Sequence, residues 1–388
     1  MTVHARFGLL FALVYAAVGI MGNFFALYLK SINVSGSEIG IVLGVLPITG
    51  LLFGPIWAYF ADSTQNLRAV LVIACLGLII SILVATQSRE FWGLLSCMLV
   101  YAVFHPPILP ICNSLALHYL TNKQDQQGFG NIRMWGSIGF AVSVFLVGAL
   151  VIEVWPSGIL YLYVAITISC AVFVLTIPES RLPPITRGLK SINILRSNPK
   201  LLELLSGITI IGVTLGIANQ YMILYLDDLA TAGWLSGFIL AAGALCEVPL
   251  MAYTKVLVQH FGLRLMLLIG VGLLPIRWCL YIFIKNPILL LPLQLIHSIA
   301  MLSLLVVGVV LVDNLLPPQW RTTGQTMYAV ALHNLGGGIG VFAAGFIYDY
   351  YNMSTVWAVC LVTGVIGFLV LLYATREVRS PNSHTELC

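Results

Sequence analysis

Twelve long apolar stretches, separated by short polar connections, leave this chain of 388 residues few ways to fold. They run approximately over 7–29, 38–61, 69–87, 91–119, 130–152, 156–177, 202–226, 233–258, 264–284, 287–316, 324–348 and 354–375. A helix needs about 20 predominantly apolar residues to cross the hydrocarbon core of a bilayer. Inside that core only helices and closed barrels satisfy all of their own backbone polar groups. The fold class predicted is an all-α membrane protein of twelve transmembrane helices. Composition agrees, with 60% hydrophobic and 8% charged residues and a mean hydropathy of +1.01. A soluble domain is only about half apolar.

The first stretch follows directly on Met1–Arg6 and is too long for a signal-peptide core, so it is expected to remain as the first span. Eight cysteines lie scattered, mostly in apolar segments and without Cys-x-x-Cys spacing, which reads as packing and not as metal or redox chemistry. The net charge of +4 is set by the connections and points to no nucleic-acid partner. No paired metal ligands and no Ser/His/Asp grouping stand out, so an enzyme is not expected, nor is a cofactor.

One polar connection is long. Pro178 to Lys200 carries Arg181, Arg187, Lys190, Arg196 and Lys200 and divides the spans six and six. The expected organisation is an N-terminal half over 1–177, a linker over 178–200, a C-terminal half over 201–375 and a tail over 376–388. With both termini and the linker cytoplasmic, Arg6, Arg68, Lys123, Lys255, Arg264, Arg321, Arg376 and Arg379 join the five linker cations on the inside. Lys30, Arg89 and Lys285 are then the outer cations, and Arg133 and Arg277 fall within spans. Cytoplasmic loops of membrane proteins carry an excess of Lys and Arg, so this orientation in the cell inner or plasma membrane is favoured. A shift of 197 residues carries Tyr28-Leu29 onto Tyr225-Leu226, Gly40 onto Gly237 and Gly50 onto Glu247. A parallel repeat of that kind implies a solute site near the midplane and rocking of one half against the other.

Glu247, Arg277 and His297 each sit well inside a different apolar stretch. A charged side chain at the centre of a spanning helix costs about 2.5–3.5 kcal/mol on insertion scales, so such groups face partners or water within a bundle. Glu247 is a candidate for proton or solute binding, the alternative being a carboxylate that pins helices together. Arg277 requires a carboxylate, carbonyls or a polar solute, and Glu247 is its nearest candidate by topology. His297 can offer one donor and one acceptor, or be a packing residue. Arg133, near the start of span five, is either a solute ligand or an anchor at the helix end. Asn113 in span four can bond a ligand or a neighbouring helix. Asp313, towards the cytoplasmic end of span ten, suits a gate or helix-end role. Phe24, Phe25, Tyr28, Tyr221 and Tyr225 either line a cavity mouth, which makes Tyr28 and Tyr225 candidate solute contacts, or form an interfacial aromatic belt. Gly40/Gly44, Gly50/Gly54 and Gly336/Gly340 have spacing that permits close helix approach.

Several stretches resemble one family. Gly22-Asn-Phe-Phe-Ala-Leu-Tyr-Leu in span one and Phe129-Gly-Asn-Ile-Arg-Met-Trp-Gly at span five are similar to the major facilitator superfamily. So are Pro318-Gln-Trp-Arg-Thr-Thr-Gly-Gln-Thr-Met-Tyr, Gly336-Gly-Gly-Ile-Gly and Gly345-Phe-Ile-Tyr-Asp. The nearest branch holds lactose permease, the phenylpropionate permeases and the nucleoside-proton symporters. The resemblance implies two pseudo-symmetric six-helix halves, a monomer, and alternating-access symport of a small polar or anionic solute driven by the proton gradient. It places Arg133 where lactose permease has a sugar-binding arginine, and Glu247, Arg277 and His297 at that protein's coupling site. Asp62 and Arg68 resemble the superfamily's gate motif, although Asp-Ser-Thr-Gln-Asn-Leu-Arg departs from its usual glycine and basic pattern. Ala300 stands where lactose permease keeps a carboxylate, and Phe140 stands where it has a sugar-stacking tryptophan. Galactoside specificity is therefore not expected, and Glu247 alone is left to carry a proton. Export, uniport or a solute sensor without flux remain the alternatives.

Overall fold

In the computed structural model, helices begin and end at the polar punctuation of the sequence. The structure describes residues 2–64, 66–122, 128–177, 198–317 and 320–376, without the side chains of residues 62, 121, 122, 252, 255 and 322. Most of the linker, the tail beyond Arg376 and the side chain of Asp62 therefore lie outside the described residues. Among the described residues, eleven helices are long and apolar enough to cross a membrane, and a twelfth apolar helix, Gly158–Val174, is shorter. We number them α1 (Val3–Ser31), α2 (Gly36–Thr64), α3 (Leu67–Ala85), α4 (Phe91–Leu120), α5 (Gly128–Leu150), α6 (Gly158–Val174), α7 (Pro199–Asp228), α8 (Gly233–Ala252), α9 (Thr254–Phe283), α10 (Pro287–Asn314), α11 (Thr323–Tyr350) and α12 (Met353–Ala374).

Local chemistry sets the ends. Thr2, Asn66 and Asn352 accept backbone N–H groups at the starts of α1, α3 and α12. At α2, Ser35 N–H donates to Glu38 at 3.0 Å and Glu38 N–H to Ser35 Oγ at 3.4 Å, a reciprocal capping box. Arg68 donates to Leu175 O at 2.6 Å and Arg6 to Thr176 O at 2.7 Å, so two cations close the carbonyl end of α6. Pro106 and Pro107 break α4 after Phe104, and its second piece starts at Ile108, because proline supplies no N–H to the ladder. Span eight is shorter than expected from the sequence. Its helix ends at Ala252, and the chain then makes one helical piece from Thr254 before turning at Gly262, whose φ of 75° is open to glycine.

The chain divides into two compact units. One comprises the described residues of 1–186 together with 222–241, the other those of 187–221 together with 242–388. In the first unit α1 packs most extensively on α5. Glycines permit it: a Cβ on Gly139 would strike the backbone of Ala12, and one on Gly136 would come 2.7 Å from the Tyr15 ring. The end of α7 and the start of α8 belong to this unit. Lys30 Nζ lies 2.8 Å from Asp227 and 2.7 Å from Asp228, Gly233 N–H donates to Glu153, and Gly237 faces Gly148 backbone to backbone.

In the second unit a glycine seam joins α7 to α11. Gly336 and Gly340 lie against Gly212 and Val213, where any Cβ would strike backbone. By contrast, a Cβ on Gly54 would meet nothing within 4 Å, so that position makes no close approach. α10 and α11 each contain a π-helical segment, Ser303–Gly308 and Val330–Gly336. Such segments free carbonyls from the helical ladder. Tyr328 Oη of α11 donates to Leu304 O within the first of them at 2.7 Å.

Candidate functional site

A close crossing of α8 and α10 in the second unit brings two polar faces together. Ser298 Oγ donates to Gly243 O at 2.9 Å, and a Cβ on Gly243 would lie 3.1 Å from Gln294 Oε1 and 3.3 Å from the His297 ring. Glu247 follows Gly243 by one helical turn and shares its face, while Gln294, His297 and Ser298 share a face of α10. The helix-packing glycine thus places Glu247 beside His297. Their nearest atoms, Glu247 Oε1 and His297 Nε2, are 3.7 Å apart, outside hydrogen-bond reach but within ionic contact.

The other imidazole nitrogen, His297 Nδ1, is 2.9 Å from Arg277 Nη1. A guanidinium has donors and no acceptor, so Nδ1 must accept and the imidazole proton resides on Nε2, towards Glu247. Arg277, 3% exposed, also donates from Nε to Tyr281 Oη at 2.8 Å and from Nη2 to Gln294 Oε1 at 3.4 Å. Its guanidinium carbon lies 5.0 Å from the Trp278 ring centre and 5.1 Å from that of Tyr281. Trp278 stacks on Trp357 of α12 at 5.5 Å, and Tyr281 meets Trp357 edge-on. Aromatic faces stabilise a desolvated cation by about 2 kcal/mol. Expected topology made Glu247 the nearest partner of Arg277; in the structure His297 stands between them.

Arg133 lies in the first unit, on α5. Its Nη1 donates to Tyr15 Oη, and its guanidinium carbon lies 5.3 Å from the Tyr15 ring centre. Among the described residues no carboxylate lies within salt-bridge distance of it. Phe140, two turns further along α5, packs on Gly19, where a Cβ would come 3.1 Å from its ring. Asn113 Oδ1 is buried without a hydrogen-bond partner among the described residues.

Phe24, Phe25, Tyr28, Tyr221 and Tyr225 are all buried, so they form no interfacial belt. Tyr28 stacks on Phe25, and Tyr221 donates to Val341 O at 3.3 Å. Asp313 accepts from Gln325 at 3.0 and 2.9 Å, joining α10 to α11, and Arg68 is engaged by the end of α6 as described. Ala300 is fully buried. Sequence reasoning missed Tyr15, Tyr281 and Gln294. Tyrosine and glutamine in apolar helices carry no charge to mark them; the signal available was helical spacing, with Tyr281 one turn after Arg277 and Gln294 one turn before His297.

Relatives give the same architecture. The chain is 24% identical over 359 residues to the uncharacterized transporter YwbF of Bacillus subtilis, covering 92% of this chain and 88% of that one. It is 26% identical over 397 residues to the maltose permease of Geobacillus stearothermophilus, covering 96% and 95%. A mutant form of the nucleoside transporter NupG superposes with a TM-score of 0.88 at 18% identity, over 97% of this chain and all of that one. The MFS_1 like family matches residues 4–359. The chain is a multi-pass membrane transporter and not an enzyme: it belongs to the MFS_1 like family of the major facilitator superfamily.

Proposed function

We propose that the chain is a proton-coupled symporter of a small polar or anionic organic solute, of the sugar, nucleoside or aromatic acid class, working as a monomer by alternating access. The observation that carries this reading is the row Arg277, His297, Glu247. Arg277 occupies His297 Nδ1, so the imidazole stays a neutral donor and Glu247 is the group assigned to gain and lose a proton. The sequence likenesses to a maltose permease and a nucleoside permease support the sugar and nucleoside classes; Arg133, with no carboxylate within salt-bridge distance among the described residues, favours solutes that present a carboxylate or accepting hydroxyls.

In the proposed cycle Glu247 takes a proton from the outer side, solute binds with Arg133, and the six-helix halves rock. Both are released inward, and the Glu247 carboxylate returns to the His297 N–H. Asn113, Phe140, Tyr28 and Tyr225 complete the proposed solute contacts, and Asp62, Arg68 and Asp313 the gate. Both termini are assigned to the cytoplasm on the distribution of basic residues. The test is uptake into proteoliposomes with and without an imposed pH gradient. Glu247→Gln is expected to abolish uphill accumulation while sparing solute exchange. Unchanged uphill uptake in that variant overturns the coupling role.

A further inference from the structure

We infer that Tyr15 is a specificity-determining residue, forming with Arg133 a two-donor seat for a planar carboxylate. The inference rests on the reading of Arg133 as a solute ligand and names the chemistry that ligand set selects. Tyr15 Oη uses a lone pair to accept from Arg133 Nη1, which leaves its own proton to give away. Among the described residues nothing accepts that proton, and nothing but Tyr15 accepts from the guanidinium. A hydroxyl that already accepts from a cation is polarised into a stronger donor. The pair therefore presents the hydroxyl proton and the remaining guanidinium N–H groups, with no acceptor between them.

Local packing holds this arrangement. Arg133 and Gly136 are one turn apart on α5, and the Tyr15 ring lies against Gly136, where a Cβ would come within 2.7 Å of it. Phe11, one turn earlier on α1, stacks on the same ring at 6.3 Å. Both Tyr15 and Arg133 are half-buried, so the seat is sheltered without being closed.

A seat made only of donors discriminates among solutes. A carboxylate is acceptor-only and takes both donors. A carboxamide of the same skeleton must turn its NH2 towards a donor or forfeit one bond, and a neutral hydroxyl carries a proton with nowhere to go. The chemical class selected is a monocarboxylate.

The experiment uses the purified full-length chain and a panel of aromatic and aliphatic monocarboxylates, 3-phenylpropionate and benzoate among them, each paired with its carboxamide. Apparent affinities are read from the concentration dependence of thermal stabilisation. The native chain is expected to prefer acid over amide by about tenfold or more, the scale of a hydrogen bond to a charged group. Tyr15→Phe should lower acid affinity about tenfold and leave the amide unchanged. Gly136→Ala, which keeps the hydroxyl and displaces the ring, should reproduce that loss, and Arg133→Gln should remove acid binding. Native acid-over-amide preference in Tyr15→Phe, with acid binding lost in Arg133→Gln, overturns the role of Tyr15 and leaves the reading of Arg133 standing. Native acid binding in Arg133→Gln overturns both, as does a native chain that binds no acid of the panel.

Discussion

His297 Nδ1 stands 2.9 Å from Arg277 Nη1, while its Nε2 faces Glu247 at 3.7 Å, so one imidazole ring meets a permanent cation and a carboxylate on opposite edges. Because Arg277 can only donate, the ring is fixed in the tautomer whose N–H lies towards Glu247. Removing it should cost stability. His297→Phe leaves one guanidinium N–H buried without its acceptor, an expected loss of about 1–3 kcal/mol. His297→Gln, which can offer a carbonyl to Arg277 and an amide N–H to Glu247, should recover most of that loss. Thermal unfolding in detergent measures both; equal melting temperatures for the Phe and Gln variants would contradict the assigned tautomer.

Tyr281→Phe removes only the hydroxyl that accepts from Arg277 Nε at 2.8 Å. The ring and its contact with Trp357 remain. Destabilisation of about 1–3 kcal/mol is expected from the unpaired buried N–H, read as a fall in melting temperature.

Two glycines of similar sequence context should respond with opposite sign. Gly340→Ala drives a Cβ into the Val213 backbone at the α7–α11 seam and should destabilise by about 1–3 kcal/mol. Gly22→Ala, within α1 and not followed by proline, meets nothing within 4 Å and gains helix propensity, by at most about 1 kcal/mol. Paired melting curves decide it, and a destabilised Gly22→Ala would contradict the open space at that position.

Gly262→Ala places a side chain at φ 75°, ψ 160°, a conformation essentially reserved for glycine. A loss of about 1–3 kcal/mol is expected. Because the turn ends one helical piece and starts the next, susceptibility of this connection to limited proteolysis should rise with it.

Lys30→Ala should cost less than about 1 kcal/mol, since its pairs with Asp227 and Asp228 are a third or more exposed and screened. Lys30→Glu sets three carboxylates together and should lower the melting temperature further, an increment that high salt suppresses.

The spans were legible because a bilayer imposes a length and a composition on every crossing, and both are written locally in the sequence. Glu247, Arg277 and His297 were legible because charge is expensive there. The order in which they meet was not. It depends on Gly243 lying against α10, and a glycine in an apolar helix reads the same whether it touches a neighbour or open space, as Gly340 and Gly54 do. Tyr15 was hidden for a related reason, since its partner is brought to it by the crossing of α1 and α5. The turn that follows α8 was not legible either, since it lies at Gly262, ten residues past Ala252, and a positive φ leaves no mark on hydropathy. The aromatics at the ends of α1 and α7 were compatible in sequence with a cavity mouth and a belt alike, and their burial decided against the belt.

The segment 222–241 belongs with the described residues of 1–186, although it is continuous with helices whose remaining turns belong to the other unit. A chain cut between α6 and α7 would therefore yield two fragments, neither self-sufficient. The first would display Lys30, Glu153 and Gly148 without the groups they meet, and the second would carry the loose ends of α7 and α8. Co-expressed fragments have a built-in means of finding each other through this segment, whereas either one alone would expose surfaces that invite aggregation.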